Sequence, residues 1–252
     1  MQTSSATASG SGLIHIGQFF FKYRDLLFPL VFLPLVLGTR PGVFLNDPRA
    51  DFALQALGVL VVFSGQGLRA LVIGLAYILR GGRNKEIYAQ DLVQGGLFAH
   101  SRNPLYVGNL LIIAGLVLIH GGAWMYLAVL PFFLFVYIAI VAAEEKYLSG
   151  HFGPQYEDYM RRVPRFLPRM KGLLATVRSM SFDWRRLVRK EYGTLFSTFT
   201  AVLLLLAWKQ IALHGFDASR DQVTVLAIVW IPFIFAYGAA RVLKKRGALG
   251  HG

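Results

Sequence analysis

Apolar residues in this chain gather in long runs and do not alternate with polar ones, which predicts helices buried on all sides, not sheet. Phe52–Leu79 is the longest run, with Arg69 its sole charge. Pro104–Ile119 and Ala123–Ala142 carry no charge and are parted by His120-Gly121-Gly122. Leu195–Leu213 has Lys209 near its end, and Val223–Ala240 has no charge. Leu26–Leu45 is interrupted by Pro29, Pro34 and Pro41 and is the weakest of the set. About 20 apolar residues cross a bilayer, so the pattern predicts six spans, with Pro104–Ile119 short for its task. The fold class is all-α, a polytopic integral membrane protein.

Charge placement orients the spans. With the N-terminus in the cytosol, all but five of the 26 Lys and Arg fall on the cytosolic flanks, the exceptions being Arg40, Arg49, Lys209, Arg220 and the intramembrane Arg69. By the positive-inside rule both termini and the two polar stretches, Arg80–Asn103 and Glu144–Glu191, face the cytosol. Glycine and proline in those stretches predict loops and short helices. Leu173, Val177, Met180, Trp184, Leu187 and Val188 recur at helical spacing among basic residues, predicting one amphipathic helix on the inner leaflet. The polar residues Met1 to Gly12 read as a frayed tail.

Composition agrees with a membrane setting: 55% of residues are hydrophobic and 15% charged, where about 25% charged is ordinary for a soluble protein. A soluble globular enzyme is excluded. The formal charge of +13 follows from topology and from affinity for anionic headgroups, and nucleic acid is not implied. With no cysteine, disulfides, thiolate metal sites and cysteine nucleophiles are excluded. The six histidines show no metal spacing. Gly65-Gln66-Gly67-Leu68-Arg69-Ala70 imitates a dinucleotide fingerprint but lies in an apolar span with no strand before it, so it reads as chance or helix packing.

Two clusters carry candidate chemistry. Ser101-Arg102-Asn103-Pro104-Leu105-Tyr106-Val107-Gly108 stands where a cytosolic loop enters the third span. Asn103 suits a helix cap and Pro104 a first turn, and a helix N-terminus favours a small anion. Glu144-Glu145 ends the fourth span, where the pair can meet a cation at the membrane edge. An aromatic, proline-bounded strip follows, with Phe152-Gly153-Pro154, Tyr156, Tyr159 and Val163-Pro164-Arg165-Phe166-Leu167-Pro168, suited to a lid. Arg69 demands a partner, either Glu144 or Glu145, or else an acceptor headgroup.

The run from about Asp91 to Arg169 resembles the membrane-embedded methyltransferases typified by isoprenylcysteine carboxyl methyltransferase, whose motifs the phospholipid N-methyltransferases share. The resemblance implies S-adenosylmethionine (SAM) as methyl donor, held by Gln90, Asp91, Leu92, Val93, Phe98, Arg102, Asn103, Pro104, Leu105, Tyr106 and Glu144. Glu145 and His100 are candidate proton acceptors, and Arg69, Tyr156, Tyr159 and Arg165 candidate substrate contacts. Three positions depart from the family pattern: Asn103 stands for a His, Phe98 for a Tyr, and Ile140 for the Arg that meets an isoprenylcysteine carboxylate. The acceptor expected is therefore a lipid headgroup amine or another lipophilic small molecule. An isoprenylcysteine-type carboxyl or thiol acceptor is the second reading. An NADPH-dependent, sterol-reductase-like enzyme and a non-catalytic membrane protein are further alternatives.

The expected organisation is a polar tail and interfacial segment over 1–25 and N-terminal transmembrane helices over 26–90. A methyltransferase core follows over 91–169, then a basic amphipathic connector over 170–194 and a C-terminal transmembrane hairpin over 195–252.

Overall fold

The computed structural model describes residues 3–75, 80–83, 86–89 and 91–249. Among the described residues eight helices carry the architecture: α1 (Thr3–Gly38), α2 (Pro48–Leu75), α3 (Pro104–His120), α4 (Leu130–Phe152), α5 (Pro154–Arg162), α6 (Leu173–Ser179), α7 (Trp184–His214) and α8 (Phe216–Lys245). A π-type turn over Met125–Val129 leads into α4 just ahead of Pro131. Among the described residues the apolar runs lie mainly in helices, while the one at Leu26–Leu45 leaves α1 after Gly38. Among the described residues four segments, Pro48–Leu75, Met125–Phe152, Trp184–His214 and Phe216–Lys245, are long and apolar enough to cross a membrane, and α3 is a shorter apolar helix.

Several local expectations change. Helix α1 begins at Thr3, so most of the polar start is helical, and it continues through Pro29 and Pro34. Proline is tolerated in membrane helices where neighbours re-satisfy the freed carbonyls. Between α2 and α3, strands β1 (Arg80–Arg83) and β2 (Glu86–Ala89) form an antiparallel hairpin, where only loops and short helices were expected. The amphipathic helix expected from Leu173 to Val188 is broken at Met180–Asp183. There Phe182 stacks against Gly74 at the end of α2, and Asp183 accepts a hydrogen bond from the Arg186 backbone at 2.9 Å, starting α7 afresh. Arg186 in turn donates to the Ile73 and Gly74 carbonyls, closing the C-terminus of α2.

Helices α2 and α3 pack antiparallel through reciprocal glycines. A Cβ on Gly58 would sit 2.8 Å from the Gly115 carbonyl oxygen, and one on Gly65 would sit 2.6 Å from that of Gly108. Gly65 in the fingerprint-like run is thus a packing residue, whereas nothing approaches Gly67. Gly108 also leaves room for the Arg69 stem, 2.6 Å from its notional Cβ.

Helix α7 lies antiparallel along α2 and is joined to it by two buried ion pairs. Near the motif end of the bundle, Arg69 meets Glu191, with Nε 3.2 Å from Oε2, and Gln66 donates to the same carboxylate at 3.1 Å. Near the far end, Lys209 donates to Asp51 at 2.8 Å and to the Ile119 carbonyl at 3.1 Å. Arg69 therefore pairs with Glu191 and with neither Glu144 nor Glu145. Helix α1 packs on α4, and α8 packs on α7.

Removing one member of a buried pair leaves an uncompensated charge, which costs about 3–5 kcal/mol. Lys209→Met should lower the thermal unfolding temperature of the detergent-solubilised protein sharply, and Asp51→Leu added to it should restore most of the loss. An unchanged melting curve for Lys209→Met would remove the pair from the account of stability.

Candidate functional site

The site grows from the loop that leads into α3. After a tight turn over Gly96–Ala99, residues 100–103 run alongside residues 164–169 and are laced to them. Arg102 N–H donates to the Pro164 carbonyl at 3.0 Å, Arg169 N–H to that of His100 at 2.9 Å, and Ser101 Oγ to that of Phe166 at 2.9 Å. Asn103 occupies the position before α3, but its side chain makes no cap; Nδ2 donates instead to the Arg165 carbonyl at 3.0 Å. The strip after α5 is thereby strapped across the mouth of the motif loop.

A left-handed Gly153 (φ 53°) makes the sharp joint between α4 and α5 that turns this strip back. Helix α5 then buries Tyr156 and Tyr159 beneath the strap, with Tyr159 Oη donating to the Phe98 carbonyl at 2.7 Å. These two tyrosines form the lid's own core with Leu148 and Val163.

Adjacent acids at the end of α4 point to different tasks. One helical step apart, their side chains diverge by about 100°, which separates two charges that would repel. Glu145 is buried between Arg102, with Nη2 at 3.2 Å, and Arg165, whose Nε donates at 3.1 Å. Glu144 faces the other way and accepts a hydrogen bond from Tyr106 Oη at 2.6 Å, while Arg24 Nη1 reaches the same hydroxyl at 3.4 Å.

Glu144 opens onto a cavity of about 1000 Å³ between α1, α3, α4 and α7. Pockets for a drug-sized ligand run from roughly 300 to 1,000 Å³, so this volume accommodates a polar cofactor and part of a second molecule. Its motif end is lined by Arg24, Asp25, Arg69, Phe98, Arg102, Asn103, Pro104, Leu105, Tyr106, Asn109, Glu144 and the hydroxyl residues Thr194, Ser197 and Thr198. The remainder is apolar, with Phe28, Phe32, Val36, Ile113, Leu116, Phe133, Leu205 and Trp208. Arg102 is buried, and its Nε and Nη1 have no hydrogen-bond partner among the described residues. An unpartnered buried guanidinium edge beside a helix N-terminus is what a carboxylate would satisfy. The Glu144 carboxylate matches a cation, so this end fits both charged groups of SAM.

Seven of the eleven expected cofactor contacts line this cavity: Phe98, Arg102, Asn103, Pro104, Leu105, Tyr106 and Glu144. Asp91, Leu92 and Val93 do not line it; Leu92 packs on the lid core and Val93 on Phe98 and Val72. Gln90 lies outside the described residues. Neither candidate proton acceptor lines the cavity. Glu145 is committed to two arginines, and His100 is held by the Arg169 carbonyl at 2.7 Å and Thr176 Oγ1 at 2.9 Å. Among the expected substrate contacts, Arg69 lines the cavity, whereas Tyr156, Tyr159 and Arg165 belong to the lid and its strap. Sequence reasoning missed Arg24, Asn109, Glu191 and the α7 hydroxyls. The signals available were Asn109 inside an otherwise apolar run and Glu191 as an isolated acid after five nearby cations.

Residues 52–155 match the phospholipid methyltransferase family. The likeness to this family rests on that segment, about two fifths of the chain. Over 136 residues it is 29% identical to protein-S-isoprenylcysteine O-methyltransferase of Schizosaccharomyces pombe, covering 51% of this chain and 54% of that one. It is 35% identical over 80 residues to the nickel-cobalt-cadmium resistance protein NccN of Alcaligenes xylosoxydans xylosoxydans, 32% of this chain and 37% of the relative. The cobalt-zinc-cadmium resistance protein CzcN of Cupriavidus metallidurans matches at 35% over 79 residues, 31% and 36% of the two chains. The chain thus spans about half the length of the curated relatives it matches, or less. No solved structure matches it. The matched segment contains most of α2 and all of α3 and α4, while the α1 and α7 walls of the cavity lie outside it.

Glu145→Gln should release the strap by leaving Arg102 and Arg165 without their shared carboxylate. Trypsin cleavage after Arg165 and Arg169 should then accelerate about tenfold, because local opening governs proteolysis of a native chain. An unchanged digestion rate in a folded variant would show that the strap is held without this charge.

Proposed function

We propose that this protein is an integral membrane methyltransferase that moves a methyl group from SAM to a lipophilic acceptor, a lipid headgroup amine in the first instance. The observation that carries the reading is a single cavity with an anion-ready guanidinium and a buried carboxylate at one end and an apolar lining at the other. The match of residues 52–155 to the phospholipid methyltransferase family supports the reaction class that this chemistry fits.

When bound, SAM supplies an electrophilic methyl group on a sulfonium, which leaves the protein to align, desolvate and exclude water. Arg102 and the first turn of α3 would hold the carboxylate, and Glu144, oriented by Tyr106, would face the sulfonium. The ion-paired Glu145 acts as a positioning residue: it fixes Arg102 toward the cavity and ties down Arg165. His100 likewise pins the strap. An amine acceptor must give up a proton before it can attack, and Glu144, which lines the cavity, is the carboxylate assigned that role.

Ile140 supports an acceptor without a carboxylate. It is fully buried in the apolar core, so the position where isoprenylcysteine enzymes place a substrate Arg offers no charge here. Arg69 does line the cavity, but Glu191 neutralises it. The segment 91–169 would act as the catalytic core and 170–194 as a connector, with both termini and the motif end in the cytosol, where SAM is made.

Arg102→Gln and Glu144→Gln should each weaken SAM binding in calorimetry by about ten- to a hundredfold, the range expected for a hydrogen bond to a charged group. Full affinity in folded variants would place the donor elsewhere. Labelled SAM offered with phosphatidylethanolamine and with a farnesyl-cysteine analogue should label the phosphatidylethanolamine; label on the analogue alone would reassign the acceptor. Reporter fusions after Met170 should be cytosolic and those at Gly121 extracytosolic, and an extracytosolic Met170 would separate the site from its donor.

A further inference from the structure

Three helices that wall the cavity run in the same direction, and each changes from polar to apolar at a comparable depth. On α1, Arg24 and Asp25 are followed by Phe28 and Phe32; on α3, Asn109 is followed by Ile112; on α7, Thr198 and Thr200 are followed by Ala201 and Leu204. From Arg24 to Leu37, and from Thr194 to Trp208, the helical rise spans about 20 Å, so the cavity is long and graded along the membrane normal.

Its lining also reveals where it opens. Among the described residues α1 packs along α4, and α7 packs along α2, α3 and α8, so α1 and α7 do not pack along one another. Leu33 and Leu37 on α1 and Leu204 on α7 line the cavity and yet are 57%, 50% and 59% exposed. A residue can do both only on the rim of a mouth. These rims lie on apolar stretches of their helices, at a depth where the surroundings are hydrocarbon. Behind them Val36, Leu116 and Leu205, each under a tenth exposed, form the inner wall.

Resting on the methyltransferase reading, we propose that the cleft between α1 and α7 is the lateral entrance for the acceptor and seats its hydrocarbon chain. The headgroup then stays at the polar end beside Glu144. The occupant is a bilayer amphiphile: only such a molecule presents a headgroup and a chain at the two depths the walls specify. Helix α7 lies outside the family-matched segment, so chain selection belongs to a part of this protein that the shared motifs do not describe.

The test uses the full-length protein in phosphatidylethanolamine–phosphatidylglycerol vesicles doped with phosphatidylethanolamine bearing a mid-chain diazirine. Irradiation should label peptides containing Val36 and Leu205 as well as the outward-facing Phe235. Leu33→Trp combined with Leu204→Trp should cut the inner-wall labelling about tenfold by narrowing the mouth, leaving Phe235 labelling unchanged. Leu33→Ser with Leu204→Ser, which keeps the mouth open, should retain it. Absence of label on Val36 and Leu205, or label indifferent to the tryptophans, would overturn the cleft. Because labelling requires neither SAM nor turnover, cleft labelling without any methyl transfer would instead count against the enzymatic reading alone.

Discussion

Arg69 and Lys209 are cations at membrane depth, and the whole bundle is arranged so that each meets a carboxylate across the α2–α7 contact. Eighteen residues separate Asp51 from Arg69 on one helix, and eighteen separate Glu191 from Lys209 on the other. That interval is about 27 Å of helix, close to the roughly 30 Å hydrocarbon thickness. The pairs therefore sit near the two edges of the apolar layer, where water and headgroups reduce the desolvation cost. Matching intervals leave α7 a single register on α2. Sliding it by one turn would strand both charges at once. That register presents Thr194, Ser197 and Thr198 to the cavity beside Tyr106 and Glu144.

Close approach of α2 and α3 is the second constraint, and it explains why a glycine ends the Arg-Asn-Pro-Leu-Tyr-Val-Gly motif. Gly108 lets the α2 backbone come near and lets the Arg69 stem pass on to Asn109 and Glu191. With α3 pinned in this way, Arg102 and Tyr106 are fixed relative to α4, and Glu144 and Glu145 meet them at hydrogen-bond distance. The alignment of these side chains begins with helix packing, and the strapped loop completes it.

Most helices and much of the motif site were legible in the chain because both are local patterns. Hydropathy runs marked α2, α3, α4, α7 and α8, and the residues from Arg102 to Tyr106 are contiguous. What escaped depends on distant partners. Arg69 demanded a carboxylate, but nothing in its neighbourhood chooses Glu191, 122 residues away, over the nearer Glu144. The two adjacent glutamates look alike in sequence and differ only by a rotation about the helix axis. Tyr156 and Tyr159 carry aromatic spacing that suits a pocket and a core equally, and α5 turns them into a core. The helix expected over Leu173–Val188 kept its apolar period; Phe182 docking on Gly74 broke it from outside.

The two α2–α7 pairs also bear on how the protein is made. Helix α2 leaves the ribosome more than a hundred residues before α7, carrying Asp51 and Arg69 into the bilayer with their partners not yet synthesised. A charged residue at the centre of an inserting helix costs about 2.5–3.5 kcal/mol, and less near its ends, so α2 enters tolerably but incompletely satisfied. Its apolar length carries the insertion until Glu191 and Lys209 arrive. The arrival of α7 thus completes both pairs. A chain interrupted before α7 would display two orphan charges in the membrane, a mark by which quality control can tell an unfinished molecule from a finished one.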